Sequence, residues 1–151
     1  SNGDPFEMGS ARPLDFGHWA AHKLEQISEY RLRHGEAVAI GIALDCIYAR
    51  DMEFLSAKQC DRILRLLERL GFTLWSTDLL HEDTDGKLVV IEGLEEFREH
   101  LGGRLTITLL HRIGDGFEVN EMNLPKVLDA IHELQERAEG RKDSKIIPAL
   151  G

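Results

Sequence analysis

Three histidines lie close together near the start of the chain, at positions 18, 22 and 34. His18 and His22 are four residues apart in a stretch of helical periodicity, so their Cβ atoms lie about 6 Å apart on one face and their rings can converge. His34 follows a short connection that can fold back beside this helix. Three neutral imidazoles hold zinc at about 2.0–2.1 Å and leave one position open for a substrate. The spacing predicts a metal site, with two solvated polar side chains as the alternative for the pair alone.

The H-E-x-x-H motif of zinc proteases is absent from this region, because neither His18 nor His22 is followed by glutamate. The general base that such a protease requires is therefore missing. A second group of candidates lies in Phe97–His100, before Gly102 and Gly103, which interrupt the secondary structure. Its cationic side chains, Arg98 and His100, are placed to reach an anionic substrate.

Two segments carry a resemblance to a known family. Arg12–Glu25 reads R-P-L-D-F-G-H-W-A-A-H-K-L-E, and His34–Gly41 reads H-G-E-A-V-A-I-G. They resemble the C-terminal helical domain of 3-dehydroquinate synthase and related sugar-phosphate cyclases, whose pattern is N-x-G-H-x-x-G-H-A-x-E followed by H-G-E-x-V-A-I-G. The similarity extends to about Ala138, because Gly103–Leu110 also resembles a late strand of that family.

The resemblance implies roles for individual residues. It implies that His18 and His34 are metal ligands, joined by a glutamate from an N-terminal domain. His22 then leaves the ligand set that spacing alone predicts and becomes a catalytic residue lining the substrate site. Asp15 matches a substrate-binding position, where it replaces the family's usual asparagine. Arg12, one position nearer the motif than the family's substrate-binding arginine, is also assigned to substrate binding.

Further substrate-binding positions come from the second group of candidates. Arg98 and His100 stand where the family has paired lysines. The carboxylate of Asp15 disfavours a nearby anion and favours a hydroxyl group. That substitution resembles the cyclases that act on sedoheptulose 7-phosphate. We therefore expect a sugar-phosphate substrate that differs from the substrate of 3-dehydroquinate synthase itself.

The implied activity is that of a lyase that closes a carbon ring. In the family, NAD bound to an N-terminal α/β domain transiently oxidises a substrate alcohol; phosphate is eliminated, the ketone is reduced again and an aldol step closes the ring. Zinc or another divalent metal polarises the oxygen being oxidised. This chain has no G-x-G-x-x-G turn. We therefore expect no cofactor-binding residues for NAD here, and no activity from the isolated fragment.

Two other functions remain open from the sequence. Iron-dependent alcohol dehydrogenases also carry H-x-x-x-H followed by H-G, but their ligand histidines are usually about two residues closer together than His18 and His34. The other alternative is a non-catalytic helical interaction module with vestigial histidines. Zinc titration distinguishes that module from a metal-binding domain.

The elements that must position these residues are mainly helical. Apolar periodicity and capping signals predict a mainly α fold with a small β ribbon, and the β ribbon follows the glycines at 102 and 103. We expect an N-terminal approach segment over 1–11, a helical metal-binding and substrate domain over 12–138, and a loosely held polar tail over 139–151. The predicted helices cover 16–27, 35–50, 56–70, 94–101 and 123–138, and the predicted strands cover 88–91, 104–110 and part of 113–120.

Composition limits the partners and the location. The chain has 151 residues, of which 42% are hydrophobic and 30% charged, as in a single globular domain. Its 18 Lys and Arg against 27 Asp and Glu give a net charge of −9, which argues against nucleic-acid binding. No apolar run reaches the length of a membrane span, and no targeting sequence is visible. We expect a cytoplasmic protein with free thiols at Cys46 and Cys60, and the resemblance implies a homodimer.

Overall fold

The computed structural model describes residues 17–112 and 114–146. Five α-helices and one two-stranded sheet make up the regular structure of this part of the chain, together with two short 3₁₀ turns at Thr77–Leu80 and Val89–Ile91. The helices are α1 (His18–Ile27), α2 (His34–Asp51), α3 (Ala57–Arg69), α4 (Glu92–His100) and α5 (Leu124–Ile146), and the strands are β1 (Ile107–Arg112) and β2 (Asp115–Val119). The mainly α prediction with a small β ribbon is confirmed.

Helix α2 is the central element of the core. It is apolar on all sides, so it contacts α1, α3, α5 and β1 at once. Eleven of its residues are buried, and only one of these, Asp45, is charged. The other large buried side chains come from the helices around it, with Trp19 and Leu24 on α1 and Leu134 on α5.

Polar contacts fix the ends of several elements around this core. The Ser56 hydroxyl accepts a hydrogen bond from the Gln59 amide and caps α3, as the sequence predicts. The hydroxyl of Tyr48 on α2 accepts a bond from the Asn123 amide at 2.8 Å, just before α5 begins. Strands β1 and β2 pair antiparallel, with Leu109 opposite Phe117. These contacts hold the ends of the elements that surround α2.

Two secondary-structure predictions are wrong. Leu88–Ile91 is not a strand: Leu88 forms only an isolated bridge to Glu82, and the chain then turns into the 3₁₀ turn. Its apolar run is too short to distinguish the two conformations by periodicity. Helix α5 also continues past Ala138 to Ile146, so the described part of the predicted tail is helical. Its residues are mostly polar, and a search for apolar periodicity does not detect them.

Three other expectations concern the cysteines, membrane spans and the N-terminal segment. Cys46 and Cys60 are free and buried, and burial raises the pKa of both thiols. Within the described residues, every helix is too short or too polar to cross a bilayer. The approach segment predicted over 1–11 lies outside the described residues.

Candidate functional site

The histidine region begins where α1 and α2 touch through glycines. Gly17 precedes α1 with φ of 74°, a left-handed conformation that glycine adopts readily. A Cβ placed on Gly41 would lie 2.0 Å from the carbonyl oxygen of Gly17, and one placed on Gly17 would lie 2.7 Å from the Ile42 amide nitrogen. Only residues without side chains allow the two backbones to come this close. The contact fixes the start of α1, and with it the residue that follows, His18.

A buried carboxylate secures the same end of α1. Asp45 is 1% exposed, and its two oxygens accept hydrogen bonds from the Gly17 amide at 3.1 Å and the Trp19 indole N–H at 2.8 Å. These donors flank His18 on both sides. Burial raises the pKa of Asp45 to about 7, while the two hydrogen bonds act in the opposite direction. The direction in which His18 projects therefore depends on a carboxylate at the centre of the core.

His18 lines a groove between α1 and α4. The groove has a volume of about 260 Å³. His18 and His22 stack with ring centroids 6.0 Å apart, and the ring of Phe97 lies 6.3 Å from that of His18. Gly93 lets α4 approach, since a Cβ there would lie 2.7 Å from the Trp19 carbonyl oxygen. The groove is lined by His18, Trp19, His22, Lys23, Gln26, Gly93, Glu96 and Phe97.

His34 lies at the other end of the helix pair, where α2 begins. Its Nδ1 is 2.9 Å from Oε1 of Glu25 on α1. Because a carboxylate only accepts, Nδ1 carries the proton of this bond, and in the neutral ring Nε2 keeps its lone pair. The His34 side chain is 67% exposed, whereas that of Glu25 is 15% exposed. The start of α2 is capped separately, because the Glu36 carboxylate accepts a hydrogen bond from the Arg33 amide at 3.0 Å. His34 thus presents a free ring nitrogen to solvent.

The two predicted metal ligands therefore lie at different levels of the α1–α2 pair. His18 adjoins the Gly17–Gly41 contact, and His34 precedes Gly41 by seven residues, which is about 10 Å along a helix. The described ring contacts join His18 to His22 and Phe97 rather than to His34. Over 17–112 and 114–146, no three His, Cys, Asp or Glu side chains are grouped to hold a metal ion. The described residues supply two imidazole donors and not a complete metal site.

A family model described as 3-dehydroquinate synthase C-terminal matches residues 2–89, more than half of the chain. The chain belongs to this family. The match includes both histidine motifs and the connection between them. The histidine motifs therefore identify a domain of the cyclase family and not of the iron-dependent alcohol dehydrogenases.

Individual members of the family have detectable similarity over most of this chain. The 3-dehydroquinate synthase of Clostridium perfringens is 33% identical over 118 residues, which are 78% of this chain and 32% of that protein. The 2-epi-valiolone synthase of Stigmatella aurantiaca is 38% identical over 107 residues, 70% of this chain and 25% of that protein. The chain thus spans about a third or less of the length of these relatives.

A solved structure has the same fold. ValA, the 2-epi-5-epi-valiolone synthase of Streptomyces hygroscopicus subsp. jinggangensis, was determined with NAD+ and Zn2+ bound. It aligns with a TM-score of 0.74 and 27% identity over 87% of this chain and 35% of its own. The described helices and hairpin therefore have the architecture of the corresponding part of a family member.

Within this family domain, the structure places some of the predicted residues and not others. His18 and His22 share the groove, and His34 lies apart from it beside Glu25. Arg98 does not line the groove: it binds the Glu95 carboxylate, and its Nη1 donates to the Gly103 carbonyl at 2.7 Å.

The other three candidates remain untested by the structure. Arg12 and Asp15 lie outside the described residues. His100 is the last residue of α4, and its side chain is likewise outside the described part. Their roles as substrate-binding residues therefore remain predictions.

Sequence reasoning missed two features of the site. The ion pair between Lys23 and Glu96 closes one wall of the groove, with the Lys23 side chain only 13% exposed. No local pattern joins these residues, because they lie on α1 and α4. The other missed residue is Asp45, and a signal for it exists: it is the only charged residue between Glu36 and Arg50 in an otherwise apolar helix. A charge in such a position is a candidate for a buried, hydrogen-bonded group.

Proposed function

We propose that this domain forms the metal-binding and substrate-binding half of an NAD- and zinc-dependent sugar-phosphate cyclase. The observation that carries the proposal is the donor set: two histidines on adjacent helices, one of them oriented by a carboxylate, in a chain that belongs to the 3-dehydroquinate synthase C-terminal family. The bound NAD+ and Zn2+ of ValA support the same cofactors here.

The donor chemistry of His18 and His34 fits a divalent metal such as zinc. Imidazole nitrogen is a preferred zinc ligand, and a carboxylate behind the second nitrogen of the ring is the usual partner of a metal-binding histidine. Glu25 occupies that place behind His34. Bound zinc supplies Lewis-acid polarisation of a substrate oxygen. The remaining donor comes from polypeptide outside the described residues, as the family resemblance implies.

The side chains that line the histidine groove, and those that support its histidines, have separate roles in this proposal. Asp45 holds the Gly17–Trp19 backbone, and so orients His18. Glu25 keeps the proton of His34 on Nδ1, which leaves the lone pair of Nε2 to bind the metal. His22 is exposed on the wall of the groove and serves as the group that binds or exchanges a proton with the substrate. Phe97 and Trp19 supply apolar walls that limit water in the groove.

The substrate in this proposal is a sugar phosphate whose group near Asp15 is a hydroxyl. Asp15 replaces an amide by a carboxylate, so it repels a substrate carboxylate and accepts from a hydroxyl. The similarity to 2-epi-valiolone synthase and ValA favours a substrate of the sedoheptulose 7-phosphate type. Arg12, Arg98 and His100 remain the proposed substrate-binding cations. A cytoplasmic homodimer is part of the proposal, and sedimentation of the longer protein measures its oligomeric state.

Phosphate release tests this function. In a longer protein that joins this domain to its NAD-binding domain, we expect NAD- and zinc-dependent release of phosphate from sedoheptulose 7-phosphate. The Asp15→Asn variant is expected to shift selectivity toward a carboxylate-bearing sugar phosphate, whereas His81→Ala, which does not line the histidine groove, serves as the control. The 151-residue chain alone is expected to give no turnover with NAD and zinc. Turnover by the isolated chain, or unchanged selectivity of Asp15→Asn, contradicts the proposal.

A further inference from the structure

A second groove is lined by residues of α3 and α5 and shares no lining residue with the histidine groove. We call it the arginine groove. It is open, with a volume of about 740 Å³. Four arginines, one carboxylate and one glycine form it, in a chain whose net charge is −9. They are Arg65, Glu68, Arg69, Arg137, Gly140 and Arg141.

The charges of this groove do not cancel. Arg137 donates two hydrogen bonds to Glu68, at 2.9 and 2.8 Å, and Arg141 lies 3.5 Å from the same carboxylate. The Glu68 side chain is only 9% exposed, so the guanidinium groups cover it from solvent. Arg65 pairs with Asp61 at 2.9 Å. Among the described residues, Arg69 has no ion pair. Four cations thus meet two carboxylates, and the excess positive charge faces the groove.

Gly140 is an exposed residue that lines the arginine groove. It lies within helix α5, where glycine costs about 1 kcal/mol relative to alanine. Its φ is not in the left-handed range, and a Cβ added to it would meet no described atom within 4 Å. Unlike Gly41, it is therefore not required by packing inside the described chain. It leaves the floor of the arginine groove open to close approach by a ligand.

An apolar pocket adjoins the arginine groove. It has a volume of about 220 Å³, and Phe72, Leu74, Trp75 and Leu134 supply its apolar walls. Glu68, Arg137 and Arg141 line both cavities, so the two lie side by side at this ion-pair cluster. Trp75 and the guanidinium planes offer surfaces on which an aromatic ring can stack.

We propose that the arginine groove and the adjoining pocket together bind a phosphorylated small molecule with an aromatic group, of the nucleoside monophosphate class. The phosphate is held by Arg69 and Arg141 above Gly140, where paired guanidinium donors match phosphate oxygens. The aromatic group enters the pocket beside Trp75. This site is separate from the proposed metal site and independent of it.

Calorimetric titration of the 151-residue chain with AMP, inorganic phosphate and adenosine tests the proposal. We expect AMP to bind at least tenfold more tightly than either fragment of it. Arg69→Ala combined with Arg141→Ala is expected to weaken AMP binding at least tenfold. Arg62→Ala removes an equally exposed cation of α3 that does not line the groove, and it should leave the affinity unchanged.

The Gly140→Ala variant distinguishes a ligand site from a structural feature. Alanine favours the helix, so we expect a higher melting temperature. The added methyl group at the same time narrows the floor of the groove, so we expect weaker AMP binding. Absence of AMP binding at millimolar concentration, equal affinities for AMP and phosphate, or full AMP affinity in the arginine or glycine variants overturns the proposal.

Discussion

The two ends of the α1–α2 pair hold their histidines in different ways. At one end, His18 follows a backbone contact between Gly17 and Gly41 and sits between two donors to the buried Asp45. At the other end, His34 is exposed and is oriented by a single hydrogen bond to Glu25. One proposed ligand position is built into the core, whereas the other is held at the surface. Changes at the first end should therefore affect folding, and changes at the second should affect metal binding with little effect on folding.

The largest expected effect comes from Gly41→Ala. Its methyl group would lie 2.0 Å from the Gly17 carbonyl oxygen, and neither backbone can move without separating α1 from α2. We expect the free energy of unfolding in urea to fall by about 3 kcal/mol or more. Gly35→Ala is the matched control on the same helix, because its methyl group meets only Phe72 Cε1, at 3.7 Å. Equal losses in the two variants would contradict the close backbone contact.

The next effect concerns the pH dependence of stability at Asp45. A carboxyl whose pKa is raised to about 7 from 3.8 binds its proton more tightly in the folded than in the unfolded chain. The contribution of this carboxyl to stability is therefore greatest below about pH 4. It falls as the pH rises from about 4 to about 7, and it is constant above about 7. We expect wild type to lose more than about 1 kcal/mol relative to Asp45→Asn between pH 5 and 8.

Urea unfolding of both proteins at several pH values measures this difference. Asp83→Asn is a control, since this carboxyl is exposed and its pKa is lowered by the Lys87 and Asp85 amides. A wild-type curve parallel to that of Asp45→Asn would show that Asp45 does not titrate in this range, and would weaken the contrast between the two ends.

The smallest effect on stability is expected at the His34 end. Glu25→Ala removes a hydrogen bond with a largely exposed partner, so the free energy of unfolding should change by less than about 1 kcal/mol. Zinc affinity should nevertheless fall about tenfold, because the His34 ring loses the carboxylate that fixes its orientation. Glu99→Ala, on the exposed face of α4, removes the same charge as a control. If both variants bind zinc equally well, Glu25 has no role in positioning His34.

The same contrast explains what sequence reasoning finds in this domain. The helices α1, α2 and α3 follow from local periodicity and capping at Ser56, and the family motif identifies His18, His22 and His34. The contacts that place these residues come from distant parts of the chain. Asp45 reaches back to Gly17, and Glu96 reaches Lys23, so neither contact has a local signature, although the isolated charge of Asp45 in an apolar helix marks that residue. The 3₁₀ turn at Val89–Ile91 depends in the same way on tertiary context.

The central proposal is that His18 and His34, although they lie at different levels of the α1–α2 pair, extend their rings to one metal ion whose remaining donor lies outside the described residues. Zinc titration of the 151-residue chain, followed by NMR of its histidine rings, tests this proposal most directly. We predict that the resonances of His18 and His34 shift together, with one dissociation constant and one zinc per chain, while His81 is unchanged. We also predict that His18→Ala sharply reduces the response of His34. Independent titration of the two rings, or a response of His34 that survives His18→Ala unchanged, would contradict a shared metal site.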